Sequence, residues 1–194
     1  MWNNTSELSS RSFTCGYCGS NVSSQKGFIG GDQYGGMRNP LAYIYICHAC
    51  LRPTFFDYSK EQFPGSMFGN DVTDITDKDV NELYNEARRC TSAKAYTATV
   101  LCCRKLLMHI AVAKGAGENK TFAEYVDYLS EKGFVPLESK EWIDHIRKMG
   151  NEANHKIAIM NQQDAENLVY FMEILLKLVF EFPAMERKKY PAKK

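Results

Sequence analysis

The chain has 194 residues, 44% of them hydrophobic, and its 24 basic side chains nearly balance its 23 acidic ones. This length and composition predict a globular protein with room for one medium domain and a small appendage. The near-zero net charge excludes a protein that coats a polyanion through bulk charge. Any nucleic-acid binding must therefore depend on a local patch.

No apolar run approaches the ~20 residues that span a bilayer, and the first residues lack the basic and apolar regions of a signal peptide. We therefore expect a cytoplasmic protein with no membrane contact. Seven cysteines would indicate disulfides in a secreted chain, but four of them form two Cys-x-x-Cys pairs. Reduced thiols, four of them on a metal ion, are the better interpretation.

The two Cys-x-x-Cys pairs are the strongest local signal. The first contains Cys15 and Cys18, and the second contains Cys47 and Cys50. Both thiolates of such a pair can face one tetrahedral ion, so two pairs predict a structural site for one Zn²⁺ per chain. Four cysteine ligands leave no open position for catalysis. His48, inside the second pair, is an alternative ligand, but a position beside the metal or in solvent is favoured.

The segments around the cysteines predict a zinc ribbon. Residues 1–12 are polar and lack periodicity, which indicates a flexible lead-in, and residues 13–70 are interpreted as ribbon and linker. Residues 41–46 predict a strand, and a short strand follows at Pro53. The glycines expected in turns are Gly27, Gly30, Gly31, Gly35 and Gly36. The aromatic residues expected to be exposed, where they can stack nucleic-acid bases, are Tyr17, Phe28, Tyr34, Tyr43 and Tyr45.

Helical periodicity then predicts a mainly α fold, in which a bundle of about five helices over residues 71–183 follows the small β zinc ribbon. The first predicted helix is capped by Asp77 and ends near Cys90, and the second runs from Ser92 to Gly115. The third begins with a capping box at Thr121 and Glu124 and stops at Gly133. The fourth begins at Ser139 and buries Trp142, Ile143 and Ile146, and the fifth begins at Asn161 and stops before Pro183. Residues 184–194 form a basic tail, for which disorder is favoured over phosphate contact.

The predicted fourth helix carries three polar residues at helical spacing. Arg147, Asn151 and His155 are four residues apart, so neighbouring members lie ~40° apart around a continuous helix and share one face. That face is either a functional site or a polar seam of the bundle. His145 falls on the other side and is expected to be solvated.

The helical part, over roughly residues 78–180, resembles the prokaryotic domain-of-unknown-function family 4145, which is thought to be related to the HEPN superfamily. The residues that carry the resemblance are Val80, Leu83, Tyr84, Glu86, Ala87, Ala95 through Leu107, Leu129, Gly133, and above all the block from Arg147 through Gly150 and Asn151 to His155. The resemblance implies a helical homodimer of a prokaryotic defence-type system. Many HEPN relatives are metal-independent RNases, in which an Arg holds phosphate charge and a His moves protons.

The spacing departs from that RNase pattern, in which four to six residues separate the Arg from the His. Seven residues separate Arg147 from His155, which places their Cα atoms roughly 12 Å apart on a continuous helix. Arg104 and His109 have four residues between them but lie ~140° apart around the helix, which we interpret as coincidence. The trio is therefore open to three interpretations: a structural network, phosphate binding without cleavage, or RNase chemistry.

These observations favour a zinc-binding, HEPN-like interaction or nucleic-acid-recognition module. One alternative is a metal-independent endoribonuclease that uses Arg147 and His155, with Asn151 positioning the substrate. Another is a regulatory or inhibitory protein that binds a larger enzyme. The expected partners are a second copy of the chain through the helical bundle, RNA or DNA, and a protein.

Overall fold

A computed structural model describes residues 2–31, 41–135, 141, 143–148 and 159–190. The chain divides into two compact units. We call Met1–Phe68 with Ser92–Lys94 the β unit, and Gly69–Thr91 with Ala95–Lys194 the helical unit.

The described residues of the β unit form one antiparallel sheet in which each strand pairs with the next along the chain. The strands are β1 (Ser6–Thr14), β2 (Asn21–Gly30), β3 (Ala42–Ile46), β4 (Pro53–Phe56) and β5 (Gln62–Phe63). The register pairs Thr14 with Asn21 and Ile46 with Pro53. The β1–β2 and β3–β4 connections therefore leave the sheet at the same end.

Two predictions for this unit are wrong. The flexible lead-in expected at residues 1–12 is replaced by β1, a polar strand whose one buried side chain is Leu8. Gly27 and Gly30, expected in turns, lie inside β2. Gly27 is needed there because a Cβ atom would come within 1.8 Å of the Ile44 carbonyl oxygen on β3.

The core of the sheet is small. Leu8, Tyr45 and Phe56 are buried, and Phe13 and Tyr43 pack against them. The Phe13 and Phe56 rings meet edge to face with centroids 5.4 Å apart. Val22 and Ile46 are also buried, which gives five buried apolar side chains besides the cysteines among the described residues of the unit. Burial of a large side chain contributes ~1.5–3 kcal/mol, whereas ordering one residue costs ~1–2 kcal/mol, so five such side chains cannot stabilise a unit of this length without a further cross-link.

The helical unit contains five helices in its described residues, namely α1 (Lys78–Ser92), α2 (Tyr96–Ala113), α3 (Phe122–Glu131), α4 (Gln162–Leu176) and α5 (Phe182–Lys189). A π-helical segment, Lys177–Glu181, joins α4 to α5, and residues 143–148 are also helical. The fold is therefore mixed, with an antiparallel sheet followed by a larger helical part. Ile143 and Ile146 are buried, as predicted, whereas Ser139 and Trp142 lie outside the described residues.

The predicted helix caps are confirmed. The Asp77 carboxylate accepts hydrogen bonds from the amides of Asp79 and Val80, and Asn161 accepts one from the amide of Asp164. Thr121 and Glu124 form the complete capping box. These caps satisfy amides that would otherwise have no partner at each helix start.

Two helix boundaries differ from the prediction. The second helix begins at Tyr96 rather than Ser92, because α1 continues to Ser92 and Lys94 turns the chain with a φ of +60°. The helical path also continues past Pro183, which lies in the first turn of α5, where proline is tolerated. The first part of the predicted disordered tail is therefore helical, with Ala184 buried.

Helix α2 lies at the centre of this unit and contacts both α3 and α4. Among the described residues it is the one helix long and apolar enough to cross a membrane by length and composition. A core helix passes the same test, and 44% of the α2 residues are buried inside the protein.

A buried carboxylate fixes the segment that precedes α1. Glu173 of α4 is 6% exposed and accepts hydrogen bonds from the backbone amide and the side-chain amide of Asn70 at 2.9 and 3.0 Å. Lys177 donates to the same carboxylate at 2.5 Å, and the buried Tyr84 hydroxyl donates to the Asn70 carbonyl at 2.8 Å. No periodicity in the sequence predicts this network, because its members are far apart along the chain.

We expect Glu173→Gln to destabilise the helical unit by ~2–4 kcal/mol, because the amide cannot replace the charge facing Lys177 or both acceptor oxygens. Urea unfolding followed by circular dichroism measures this change. Glu131→Gln, at an exposed position, is the matched control and should change stability by less than ~0.5 kcal/mol. Equal stability of the two variants would contradict a stabilising role for the carboxylate.

The same residue predicts a pH dependence. Burial opposes ionisation, but hydrogen bonds from Lys177 and Asn70 outweigh it and hold the pKa of Glu173 below the ordinary 4.5. Its contribution is therefore complete above that value and is lost as the pH falls through the lower folded-state pKa. The stability of Glu173→Gln should fall less steeply in this acidic range.

Candidate metal centre and polar clusters

The antiparallel sheet brings the four predicted cysteine ligands together. Cys15 and Cys18 lie in the β1–β2 connection, and Cys47 and Cys50 lie in the β3–β4 connection. Since both connections leave the same end of the sheet, the two pairs face each other. The strand register, rather than the cysteines alone, positions the cluster.

Each connection folds in the same way. In the first, the Gly19 amide donates to the Cys15 carbonyl at 2.9 Å, and in the second the Leu51 amide donates to the Cys47 carbonyl at 2.8 Å. Gly19 and Leu51 both adopt the left-handed conformation, with φ of +71° and +59°. This repeated turn directs the two thiols of a pair to one side.

The sulfur atoms are spaced for one tetrahedral ion. Cys15 Sγ lies 3.7 Å from Cys50 Sγ, and Cys18 Sγ lies 3.9 Å from Cys47 Sγ. All four ligand atoms fall within 4.8 Å of one another. Four bonds of ~2.3 Å to a tetrahedral zinc would place the sulfur atoms ~3.8 Å apart, so the cluster can hold a metal ion of that size.

The thiols differ in acidity. Burial raises the pKa of Cys15, and it raises that of Cys50 to about 12. At Cys18 burial also opposes ionisation, but hydrogen bonds from the Ser20 hydroxyl and amide outweigh it and lower the pKa to about 7. A bound divalent cation would convert all four thiols to thiolates, so metal binding should release protons.

The other predictions for the ribbon concern His48 and the aromatic residues, and they are confirmed only in part. His48 is exposed and is not a member of the cluster, as favoured. The prediction that Tyr45 is exposed is wrong. Tyr45 is 3% exposed, and its hydroxyl donates to the Ser9 carbonyl at 3.0 Å. Phe28 is partly buried against Trp2, and Tyr34 lies outside the described residues. Within the described residues, Tyr45 therefore offers no free ring for base stacking, and the exposed rings of the unit are at other positions, Trp2, Phe55, Tyr58 and Phe63.

Arg147, the first member of the predicted trio, is held by two carboxylates. Its Nη1 donates to Asp144 Oδ1, and its Nη2 donates to Asp127 Oδ1 on α3. Two carboxylates neutralise the guanidinium, so in this state Arg147 has little charge to offer a phosphate. Asn151 and His155 lie outside the described residues.

The two other histidines of interest face carboxylates. His109 Nε2 lies 3.6 Å from Asp77 Oδ2 at the start of α1, in an exposed pair. His145 Nε2, expected to be solvated, is about two-fifths exposed and lies 3.3 Å from Asp164 Oδ1 in the first turn of α4. Both pairs therefore lie at helix starts rather than in a common site.

Sequence reasoning missed the two acidic partners of Arg147. Asp144 is three residues before Arg147, a spacing at which side chains on a helix meet, and this signal was available. Asp127 belongs to another helix, and no local pattern connects it to Arg147.

The family profile described as a domain of unknown function, DUF4145, matches residues 85–193, which is more than half of the chain. The chain belongs to the DUF4145 family. This confirms the resemblance seen in the sequence, while the relation to HEPN proteins stays a prediction. No curated protein and no solved structure matches the chain.

The DUF4145 match separates the two sets of candidate residues. Arg104, Arg147 and Glu173 lie inside it, whereas the four-cysteine cluster lies before its first residue. The candidate metal centre therefore lies in front of the DUF4145 region and is separate from it in the sequence.

Replacement of Cys15 by serine should remove metal binding and unfold the β unit, because a small core depends on the cross-link. We expect about one zinc per chain in the unaltered protein and close to none in Cys15→Ser, measured by elemental analysis. The helical signal in circular dichroism should change little.

Cys90→Ser, a cysteine on α1 outside the cluster, is the control and should retain the metal. Retention of zinc by Cys15→Ser would contradict the assignment of this ligand. Loss of the helices in Cys15→Ser would show that the two units fold as one.

Proposed function

We propose that this DUF4145 protein is a recognition module with a structural zinc site, an HEPN-like helical unit and a role in a prokaryotic defence-type system. The observation that carries the proposal is the set of four sulfur atoms at tetrahedral spacing. Four cysteine ligands would saturate the ion and leave no position for a substrate or water. The zinc would therefore have a structural role and stabilise the fold of the β unit.

The partner that we propose for this module is nucleic acid. Its support is the end of α5, where Arg187, Lys188 and Lys189 are exposed in the last turn. Lys188 pairs with Asp74 at 2.7 Å, which leaves Arg187 and Lys189 as the better candidates for phosphate contacts. The endoribonuclease alternative has weaker support, because Arg147 is neutralised by Asp127 and Asp144.

Binding of fluorescent single-stranded and structured RNA and DNA, measured by anisotropy over a salt series, tests this partner. The double variant Arg187→Gln/Lys189→Gln should lower affinity about tenfold or more and reduce the salt slope by ~2, because two phosphate contacts are lost. The control is Lys26→Gln/Lys60→Gln, which removes two exposed charges from the β unit. An unchanged slope in the α5 variant would overturn the proposed contacts.

The same RNA samples, incubated in EDTA and examined on a gel, separate recognition from cleavage. The recognition proposal expects intact RNA. Cleavage that His155→Ala abolishes would instead establish the endoribonuclease. Absence of binding to every nucleic acid, together with capture of a larger enzyme, would favour the regulatory alternative.

We further propose that the helical units of two chains form a homodimer. Leu101 on α2 is 47% exposed and Ile174 on α4 is 40% exposed, on helices that pack against each other. Exposed apolar side chains on neighbouring helices are typical of a protein contact surface.

Leu101→Glu/Ile174→Glu should convert the dimer to a monomer, because association would bury two carboxylates without partners. Light scattering after size-exclusion chromatography measures the mass of each variant. Ile159→Glu, at a position that is 86% exposed, is the control and should remain dimeric. A monomeric unaltered protein would exclude this proposal.

A further inference from the structure

The helical unit contains two deeply buried arginines with opposite surroundings. Arg88 on α1 is 4% exposed, and its guanidinium donates to the Asp71 and Asn85 side chains and to the Gly69 carbonyl. Arg88 is thus an ordinary buried cation, since a carboxylate and further acceptors compensate its charge.

Arg104 on α2 lacks such compensation among the residues that the structure describes. It is 6% exposed, and its Nη1 is shielded from solvent without a hydrogen-bond acceptor among them. Within the described part of the chain no carboxylate forms an ion pair with it. Its Cζ lies 4.5 Å from the centroid of the Phe122 ring, which covers one face of the guanidinium.

The aromatic ring compensates only part of the charge. A cation over an aromatic face is stabilised, but the hydrogen-bond donors at the edge of the guanidinium plane still need acceptors. Burial lowers the pKa of Arg104, yet an arginine keeps its proton in proteins. The side chain is therefore a desolvated positive charge that an anion would stabilise.

The donor geometry selects the class of anion. The planar guanidinium offers parallel N–H groups that match two oxygens of one phosphate or carboxylate. Arg147, to which the HEPN resemblance would give a phosphate-holding role, is already neutralised by two carboxylates. Among the described residues, Arg104 is the buried arginine without an ion-pair partner.

We propose that Arg104 is the cationic centre of a binding site for a phosphate group, with the Phe122 ring as one wall. This site goes beyond the proposed function. It rests on that function in one respect alone, which is that nucleic acid is one candidate source of the phosphate. A nucleotide or inorganic phosphate supplies the same chemistry.

Thermal unfolding of the full chain in inorganic phosphate, with sodium chloride holding the ionic strength constant, tests the site. The unaltered protein should melt about 3–6 °C higher at ~10 times the dissociation constant, because the ligand binds the folded state alone. Arg104→Met should show no phosphate response. In phosphate-free buffer it should melt no lower than the unaltered protein, because it removes an uncompensated buried charge.

Lys105→Met, on the same helix but exposed, is the control and should keep the full response. Arg104→Lys keeps the charge without the fork, so it should retain a weakened response even if the methionine variant folds poorly. An equal phosphate response in the unaltered protein and Arg104→Met overturns the site. So does a much lower melting temperature of Arg104→Met without phosphate, because that result would reveal a partner within the chain.

Parallel titrations with a nucleoside monophosphate and a short single-stranded RNA separate the sources of the phosphate. If inorganic phosphate and the nucleotide both give a response that requires Arg104, and RNA does not bind, the site is supported and RNA is excluded as the source of the phosphate. An RNA response that Arg104→Met leaves unchanged, without a response to inorganic phosphate, overturns the site and leaves the proposed function intact.

Discussion

Four cysteine sulfurs at one end of the sheet are the constraint on which the β unit depends. Besides the cysteines, five buried apolar side chains form its core among the described residues, too few to offset the entropy lost when its residues become ordered. A metal ion held by the connections β1–β2 and β3–β4 would tie four strands at one point. The exposed polar face of β1 is compatible with this arrangement, because a metal cross-link would substitute for apolar burial along the strand.

The helical unit obeys a different constraint, which is that each buried charge needs a partner. Glu173 meets it through Asn70 and Lys177, and Arg88 meets it through Asp71. These contacts anchor the segment before α1 to the helices, so buried charges determine the path of an irregular segment that apolar packing alone would leave undetermined. Arg104 is the buried charged residue without an ion-pair partner among the described residues, and its Nη1 also lacks a hydrogen-bond acceptor there.

The metal-ligand and helix-cap signals in the sequence were reliable. The Cys-x-x-Cys spacing predicted the cluster, and Asp77, Thr121 and Asn161 marked helix starts because a cap acts within one turn of the chain. Nonlocal features were missed. β1 has little hydrophobic alternation and is recognisable only by its pairing with β2. The helix continues past Pro183 because that proline lies in the first turn of α5, where it is tolerated. Asp127 reaches Arg147 from another helix, which no single-segment pattern reveals.

The neutralised Arg147 alters what the family block from Arg147 to His155 implies. Arg147 pairs with Asp144 on its own helical segment and with Asp127 on α3, so it links two elements of the helical unit. This structural role is sufficient to account for an arginine at position 147. A catalytic role would require the two carboxylates to release it, at the cost of separating three charges that now compensate one another. A phosphate meets no such competition at Arg104. Among the described residues of the DUF4145 region, the buried charge without an ion-pair partner therefore lies on α2, at Arg104.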